Sequence, residues 1–309
     1  MISWKLLVST RVATSVVCLL INRPVHHYSK ISTTGLLVSS QAGSSQVCSQ
    51  QPLPTCAEEL QMLSFYRFSP IKDPTIIRDE LFATVRSIPG LRGTIYLASE
   101  GVNAQLAVPL GDPLDMLLNA CLECLPFDPF GVNAPNLGDI VPTSTPTFNR
   151  LIVRTRDAVL RDELDEFLDW EDAGLELTPA EWDQQLRQST STVLLDCRNL
   201  YESEKGSFSG ATPLKTQVFQ ESWHQIRSET KDLDKDTPIH IFCTGGIRCV
   251  KVGAYLKQKL GFSDVRRLEH GIIGYHRWAK ENCVDEQTSM WKGENFLFDK
   301  RQSESKKDY

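Results

Sequence analysis

The first 57 residues contain no aspartate and no glutamate, and the first acid is Glu58. Lys5, Arg11, Arg23 and Lys30 carry the Lys/Arg charge of that stretch among many serines and threonines. This composition fits an organelle transit peptide, with a mitochondrial address ahead of a plastid one. A secretory signal competes, because Val12 to Ile21 has the length of a signal core, but Thr14 and Ser15 interrupt it. The plainest alternative is a disordered extension with no address, which would leave the protein in the cytoplasm. No apolar run is long enough to span a bilayer, so no membrane partner is expected. Also missing are a dinucleotide-binding fingerprint and the histidine-carboxylate spacing of an iron site. His224, His240, His270 and His276 are scattered; no metal site is expected, and any cofactor stays unassigned. The nine cysteines are too dispersed for a secreted disulfide framework, which favours a reducing compartment.

What is present begins with "PIHIFCTGGIRCVKVGAYLKQ", residues 238–258. Ile239 to Phe242 is a β-branched and aromatic run, whereas Val250, Ala254, Tyr255 and Leu256 follow a helical period. The unit reads as strand, loop, helix, with Cys243 at the hinge. Gly245 and Gly246 let the backbone turn successive N–H groups inward, so the loop forms an anion-binding concavity. Such a site would stabilise a thiolate or a persulfide. Cys243 is therefore the candidate nucleophile, and Thr244, Gly245, Gly246, Ile247 and Arg248 its cradle. Four residues separate Cys243 from Arg248, one fewer than in a cysteine-dependent phosphatase. The shorter loop suits a single sulfur atom, and C-x-x-G-x-R resembles the active-site loop of the rhodanese (sulfurtransferase) domain. A buried structural cysteine is the competing reading, but it needs neither two glycines nor an arginine. Cys249 reads either as a thiol that resolves an oxidised Cys243 or as a small packed residue.

Upstream, Val193 to Leu195 is an apolar strand leading into Asp196 and Arg198, then Tyr201-Glu202 and "GSFSGA", residues 206–211. Rhodanese domains carry a similar order, with a histidine where this chain has Ser207. Asp196 and Arg198 read as a structural ion pair in preference to direct catalysts. Strands at 193–196, 239–242 and 265–269 alternate with helices at 221–233, 250–260 and from Ile272. The α/β alternation predicts a parallel sheet whose crevice, at the strand C-termini, holds Cys243. Thr178 to Glu181 is a capping box with proline at the first helical position. The expected organisation is therefore an acidic connector at 161–177, a rhodanese domain at 178–283 and a tail at 284–309.

Residues 58–160 read as another module. Leu63 to Phe68 is a strand, Asp73-Pro74 opens an amphipathic helix to about Ile88, and "GTIYLASEGVNAQLAV" is a hairpin turning at Glu100-Gly101. Asp112-Pro113 opens a further helix, and Leu151 to Thr155 supplies the last strand. This βαββαβ order predicts a ferredoxin-like (acylphosphatase-like) α+β domain. Cys121 and Cys124 share a buried helix face and read as core packing. Arg150, Arg154, Arg156 and Arg161 are a candidate basic patch for RNA, or equally an ordinary solvated face.

The combination resembles a known family. "LASEGVNA" in the first module, "FCTGGIRC" and "RLEHGIIGY" in the second, and "WKGENFLFDKR" after it are similar to the oxygen-dependent tRNA uridine hydroxylases (TrhO-type, YceA-like) over about residues 62–301. The resemblance implies 5-hydroxylation of wobble uridine 34, with tRNA bound through its anticodon loop, molecular oxygen as co-substrate and Cys243 as the required cysteine. It assigns no role to Glu100 to Asn103, for which a tight turn is the plainer reading. Family members often continue into a cysteine-containing segment where this sequence has "QSESKKDY". The alternative is a plain sulfurtransferase that moves sulfur from a donor through a Cys243 persulfide; it needs only the rhodanese domain. A non-enzymatic anion-binding or partner-binding module is the third reading. Oligomeric state is not legible.

Overall fold

The computed structural model describes residues 59–131, 135–164, 167–188 and 192–302. The leader at 1–57, with the address read from it, lies outside the described residues. The amino-terminal half runs β1 (Glu59–Phe68), α1 (Pro74–Val85), β2 (Arg92–Ala98), β3 (Gly101–Pro109), α2 (Asp112–Cys124), β4 (Asn136–Pro142) and β5 (Leu151–Thr155). Its sheet has the order β4-β1-β3-β2-β5. Two corrections follow. The plait's fourth strand is β4, antiparallel to β1, and Leu151 to Thr155 is an added edge strand parallel to β2. "NLGDIVP" carries a glycine and a proline and no clean alternation, so no periodic signal marks it. The hairpin turns at Ser99-Glu100, one residue earlier than expected, and Gly101 opens β3 paired with Ala98.

Strand register sorts the side chains. Leu63, Phe65, Ala104, Leu106 and Ile95 share one face, all buried beneath α1 and α2. Each buried leucine or phenylalanine there contributes about 1.5–3 kcal/mol. Ser64, Tyr66, Asn103 and Gln105 occupy the opposite face and are half-buried. The Asp73 carboxylate accepts from the Thr75 and Ile76 amides at 3.0 and 3.1 Å, capping α1 as the sequence implies. For α2 the cap is Gly111, and Asp112 is already the first helical residue.

The carboxyl-terminal half runs β6 (Leu175–Leu177), α3 (Pro179–Gln188), β7 (Val193–Asp196), α4 (Leu200–Ser203), β8 (Gly206–Phe208), β9 (Thr212–Pro213), α5 (Ser222–Thr230), β10 (Ile239–Phe242), α6 (Ile247–Gln258), β11 (Val265–Leu268), α7 (Gly271–Glu281) and β12 (Trp291–Gly293). The parallel sheet has the order β6-β11-β10-β7-β9. Thr178 and Glu181 form the expected capping box: the Thr178 amide donates to the Glu181 carboxylate at 2.9 Å and the Glu181 amide to the Thr178 hydroxyl at 3.3 Å. Two segments read as connector and tail belong to the fold. Leu175–Leu177, inside the acidic stretch, is an edge strand of this sheet. Trp291–Gly293, in the tail, pairs antiparallel with β8. Three-residue strands are too short for a period to show.

Candidate active site

The Cys243 loop follows β10 and enters α6 through Gly246, which sits at φ +96°. A β-carbon there would fall 2.8 Å from the Tyr66 hydroxyl of β1, so the amino-terminal sheet presses directly on the loop. From the other side, the Ile272 and Ile273 amides of α7 donate to the carbonyls of Cys243 and Thr244 at 3.0 and 3.1 Å. Gly271 permits that approach, since a β-carbon there would lie 2.3 Å from the Cys243 carbonyl oxygen. The loop is held by backbone contacts and by both halves of the molecule.

Cys243 itself is fully buried, and the Gly246 amide donates to its sulfur at 3.2 Å. Burial, followed by a hydrogen bond with Cys249, pushes the Cys243 thiol well above its ordinary range. Desolvation here outweighs the groups that favour a thiolate, the Arg248 charge and the backbone amides at the sulfur. Cys249 is equally buried and also contacts Cys197, and its thiol is pushed up by burial as well.

Arg248, the last residue of the cradle, is paired with a buried carboxylate. Its guanidinium donates to both carboxylate oxygens of Glu202, at 2.6 and 2.8 Å, and to the Thr244 hydroxyl at 3.1 Å. Thr244 in turn donates to Glu202 at 3.1 Å. Burial opposes ionisation of Glu202, but the charge and hydrogen bonds of Arg248 prevail and hold its carboxyl below the usual range. Arg248 therefore braces the loop with its charge already neutralised.

Asp196 and Arg198 form the structural pair that the sequence favours, with neither side chain exposed: Arg198 donates to the two Asp196 oxygens at 2.8 and 2.6 Å and to the Gly206 carbonyl at 2.5 Å. Ser207 replaces the usual histidine without leaving Asp196 unserved, since its hydroxyl donates to Asp196 at 2.8 Å. Among the other singled-out residues, Cys121 is core, and burial pushes its thiol up to about 12. Arg150, Arg154, Arg156 and Arg161 are exposed; Arg156 stacks on Tyr96 and Arg161 pairs with Glu163 at 2.7 Å.

Cys243 lies in the wall of a cavity of about 280 Å³ built by both halves. The loop with Ile247 and Arg248 forms one wall, while Ser64, Tyr66, Asn103, Gln105 and Asn136 of the amino-terminal sheet form the other. Leu297, Phe298 and Arg301 close it from the carboxyl-terminal segment, and Arg248 lies 5.7 Å beneath the Phe298 ring. Since about 150 Å³ is enough for benzene, a pyrimidine ring has room here. A second cavity, of about 340 Å³, lies beyond Tyr66 and Gly245 and is lined by Arg67, Glu176, Arg267 and His270.

One feature fastens the two halves beside this site. Lys251 of α6 is 1% exposed and donates to Glu100 at 3.0 Å, to Asp162 at 2.5 Å and to the Leu160 carbonyl at 2.9 Å. Glu100 also accepts the Val159 amide at 2.8 Å. The "EGVN" hairpin is thus more than a tight turn: its carboxylate locks the amino-terminal domain to the helix that follows the Cys243 loop.

A family model described as the UPF0176 acylphosphatase like domain matches residues 60–159, and a rhodanese-like domain model matches residues 178–278. A protein of Onion yellows phytoplasma (strain OY-M) named tRNA uridine(34) hydroxylase is 33% identical over 248 residues, covering 80% of this chain and 75% of that protein. Its namesake in Escherichia coli O81 (strain ED1a) is 32% identical over 249 residues, covering 80% and 68%. This chain belongs to the tRNA uridine(34) hydroxylase family. Within this hydroxylase family member, the matched acylphosphatase-like and rhodanese-like domains supply the two walls of the Cys243 cavity. Sequence reasoning missed most of the first wall. Its trace was the alternation of Ser64 and Tyr66 with the apolar Leu63 and Phe65, and of Asn103 and Gln105 with Val102, Ala104 and Leu106.

Proposed function

We propose that this protein hydroxylates wobble uridine 34 of tRNA at carbon 5, using molecular oxygen and requiring Cys243. The observation that carries the reading is the shared cavity: a sulfurtransferase needs only the rhodanese loop, whereas here the amino-terminal domain builds half of the chamber around it. A base in the anticodon loop, turned out of its stack, is the substrate class that such a chamber admits. One oxygen atom enters at carbon 5 and the other leaves as water, with two electrons and two protons drawn from an external thiol reductant; the Cys243 sulfur, as a persulfide or an oxidised sulfur species, is the group required for that step. Cys243→Ser retaining full activity would reject that role.

For the RNA, Arg150, Arg154 and Arg156 offer an exposed basic edge on and beside β5, three strands from β1 in the sheet order. At about 4.8 Å per strand they lie roughly 15 Å across the sheet from Tyr66, close enough to meet flanking phosphates. The acid-free leader is proposed as a mitochondrial address, ahead of a plastid one; residues 1–57 fused to a fluorescent reporter that stays in the cytosol would refute it.

The deciding experiment is nucleoside mass spectrometry of tRNA from cells lacking their own wobble-uridine hydroxylation, expressing either the intact protein or Cys243→Ala. Derivatives of 5-hydroxyuridine appearing only with the intact protein support the reading. Their absence, with folded protein that transfers sulfur from thiosulfate, replaces it with the sulfurtransferase.

A further inference from the structure

The amino-terminal wall of the Cys243 cavity carries polar groups that the fold does not use. Antiparallel register sets Asn136 opposite Ser64 and Ser64 opposite Gln105, so the three share one face of the sheet, and all three line the cavity. At about 4.8 Å between strands the row spans about 10 Å. Asn136 is 4% exposed. Its amide nitrogen donates to the His270 carbonyl at 3.1 Å, which fixes the side chain's orientation, because the reversed amide would set oxygen against oxygen. Among the described residues Oδ1 is left buried with no partner, and Asn136 stands where this cavity meets the second one, lining both. Among the described residues, neither the Ser64 hydroxyl nor the Gln105 amide has a partner. Buried acceptors without donors are rare in folded proteins, and one in the wall of a cavity points to a ligand that brings the donor.

The donor identifies the ligand's edge. Uracil and cytosine are nearly the same size but differ at N3, where uracil carries N–H and cytosine a lone pair. A lone pair would repel Oδ1, whereas N3–H satisfies it. We propose that Asn136 is a specificity-determining residue whose Oδ1 accepts N3–H of a flipped-out uracil, with Ser64 and Gln105 donating to a ring carbonyl, and that this contact excludes cytosine. The inference rests on the tRNA uridine reading and adds to it how the base is told apart.

The test measures fluorescence anisotropy of the full chain with anticodon stem-loop RNAs bearing uridine, N3-methyluridine or cytidine at position 34. The wild-type protein is expected to bind the uridine RNA about 10- to 100-fold more tightly than either of the others. Asn136→Leu, similar in shape and without the acceptor, is expected to bring that ratio close to one while the melting temperature stays within a few degrees. Equal binding of uridine and N3-methyluridine by the wild type, with 5-hydroxyuridine still formed, overturns the role of Asn136 alone and needs no variant to show it. The variant keeping the full ratio overturns it too. No binding to any stem-loop removes the tRNA reading and this inference with it.

Discussion

The two walls of the Cys243 cavity are built by opposite strategies. The rhodanese wall is a single short segment in which Cys243, Thr244 and Arg248 lie within six consecutive residues and are braced by Glu202 and by the α7 amides. The wall opposite is gathered from three strands, β1, β3 and β4, whose contributions lie far apart in sequence. The first is held by buried charges paired around it; the second carries polar side chains because one face of the sheet is left uncovered by α1 and α2. A compact loop supplies reactivity to many proteins, whereas an assembled face can be shaped to one substrate.

Glu202→Gln attacks the first wall hardest. It leaves the buried Arg248 guanidinium without its counter-charge, and a loss of about 3–5 kcal/mol is expected in denaturant unfolding. A variant as stable as the wild type would mean that Arg248 does not depend on Glu202.

Acid tests the rhodanese-like half and its contact with Asn136. Burial, then the charge of Arg266, pushes His240 down to about 4; burial, then Arg277, does the same to His270 beside Asn136. Both would titrate near 6.5 when unfolded, so the unfolded chain binds more protons between those values. Stability is therefore expected to fall as pH drops from about 6.5 to 4, with at most about 3 kcal/mol from His240, and to respond little to these histidines above pH 7. Thermal melts across that range check the sign.

Lys251→Met cuts the lock between the walls and leaves Glu100 and Asp162 facing each other. Because those carboxylates keep some solvent, at 20% and 13% exposure, the expected cost is discounted to about 2 kcal/mol. Calorimetry should then resolve separate transitions for the two domains; a single unchanged transition would show that packing alone holds them. The smallest effect expected is Ser207→Ala, about 1 kcal/mol in urea unfolding, since Asp196 retains both bonds to Arg198.

The sequence by itself determined whatever is encoded locally. The Cys243 loop, the Asp73 cap, the Thr178 capping box and the Asp196–Arg198 pair join residues close together in the chain, so spacing and turn chemistry make them legible. Long β1 and β3 show their alternation for the same reason, as does the α/β rhythm of the rhodanese half. Tertiary structure alone decided the rest. No local pattern announces β4, because its register against β1 is set by pairing across more than 70 residues. None reveals that Lys251 seeks Glu100, that Arg248 arrives already neutralised, or that the Cys243 thiol is desolvated, since burial and ionisation depend on what the rest of the chain places around a group. The open polar face of the amino-terminal sheet became a wall only when the rhodanese loop was set against it.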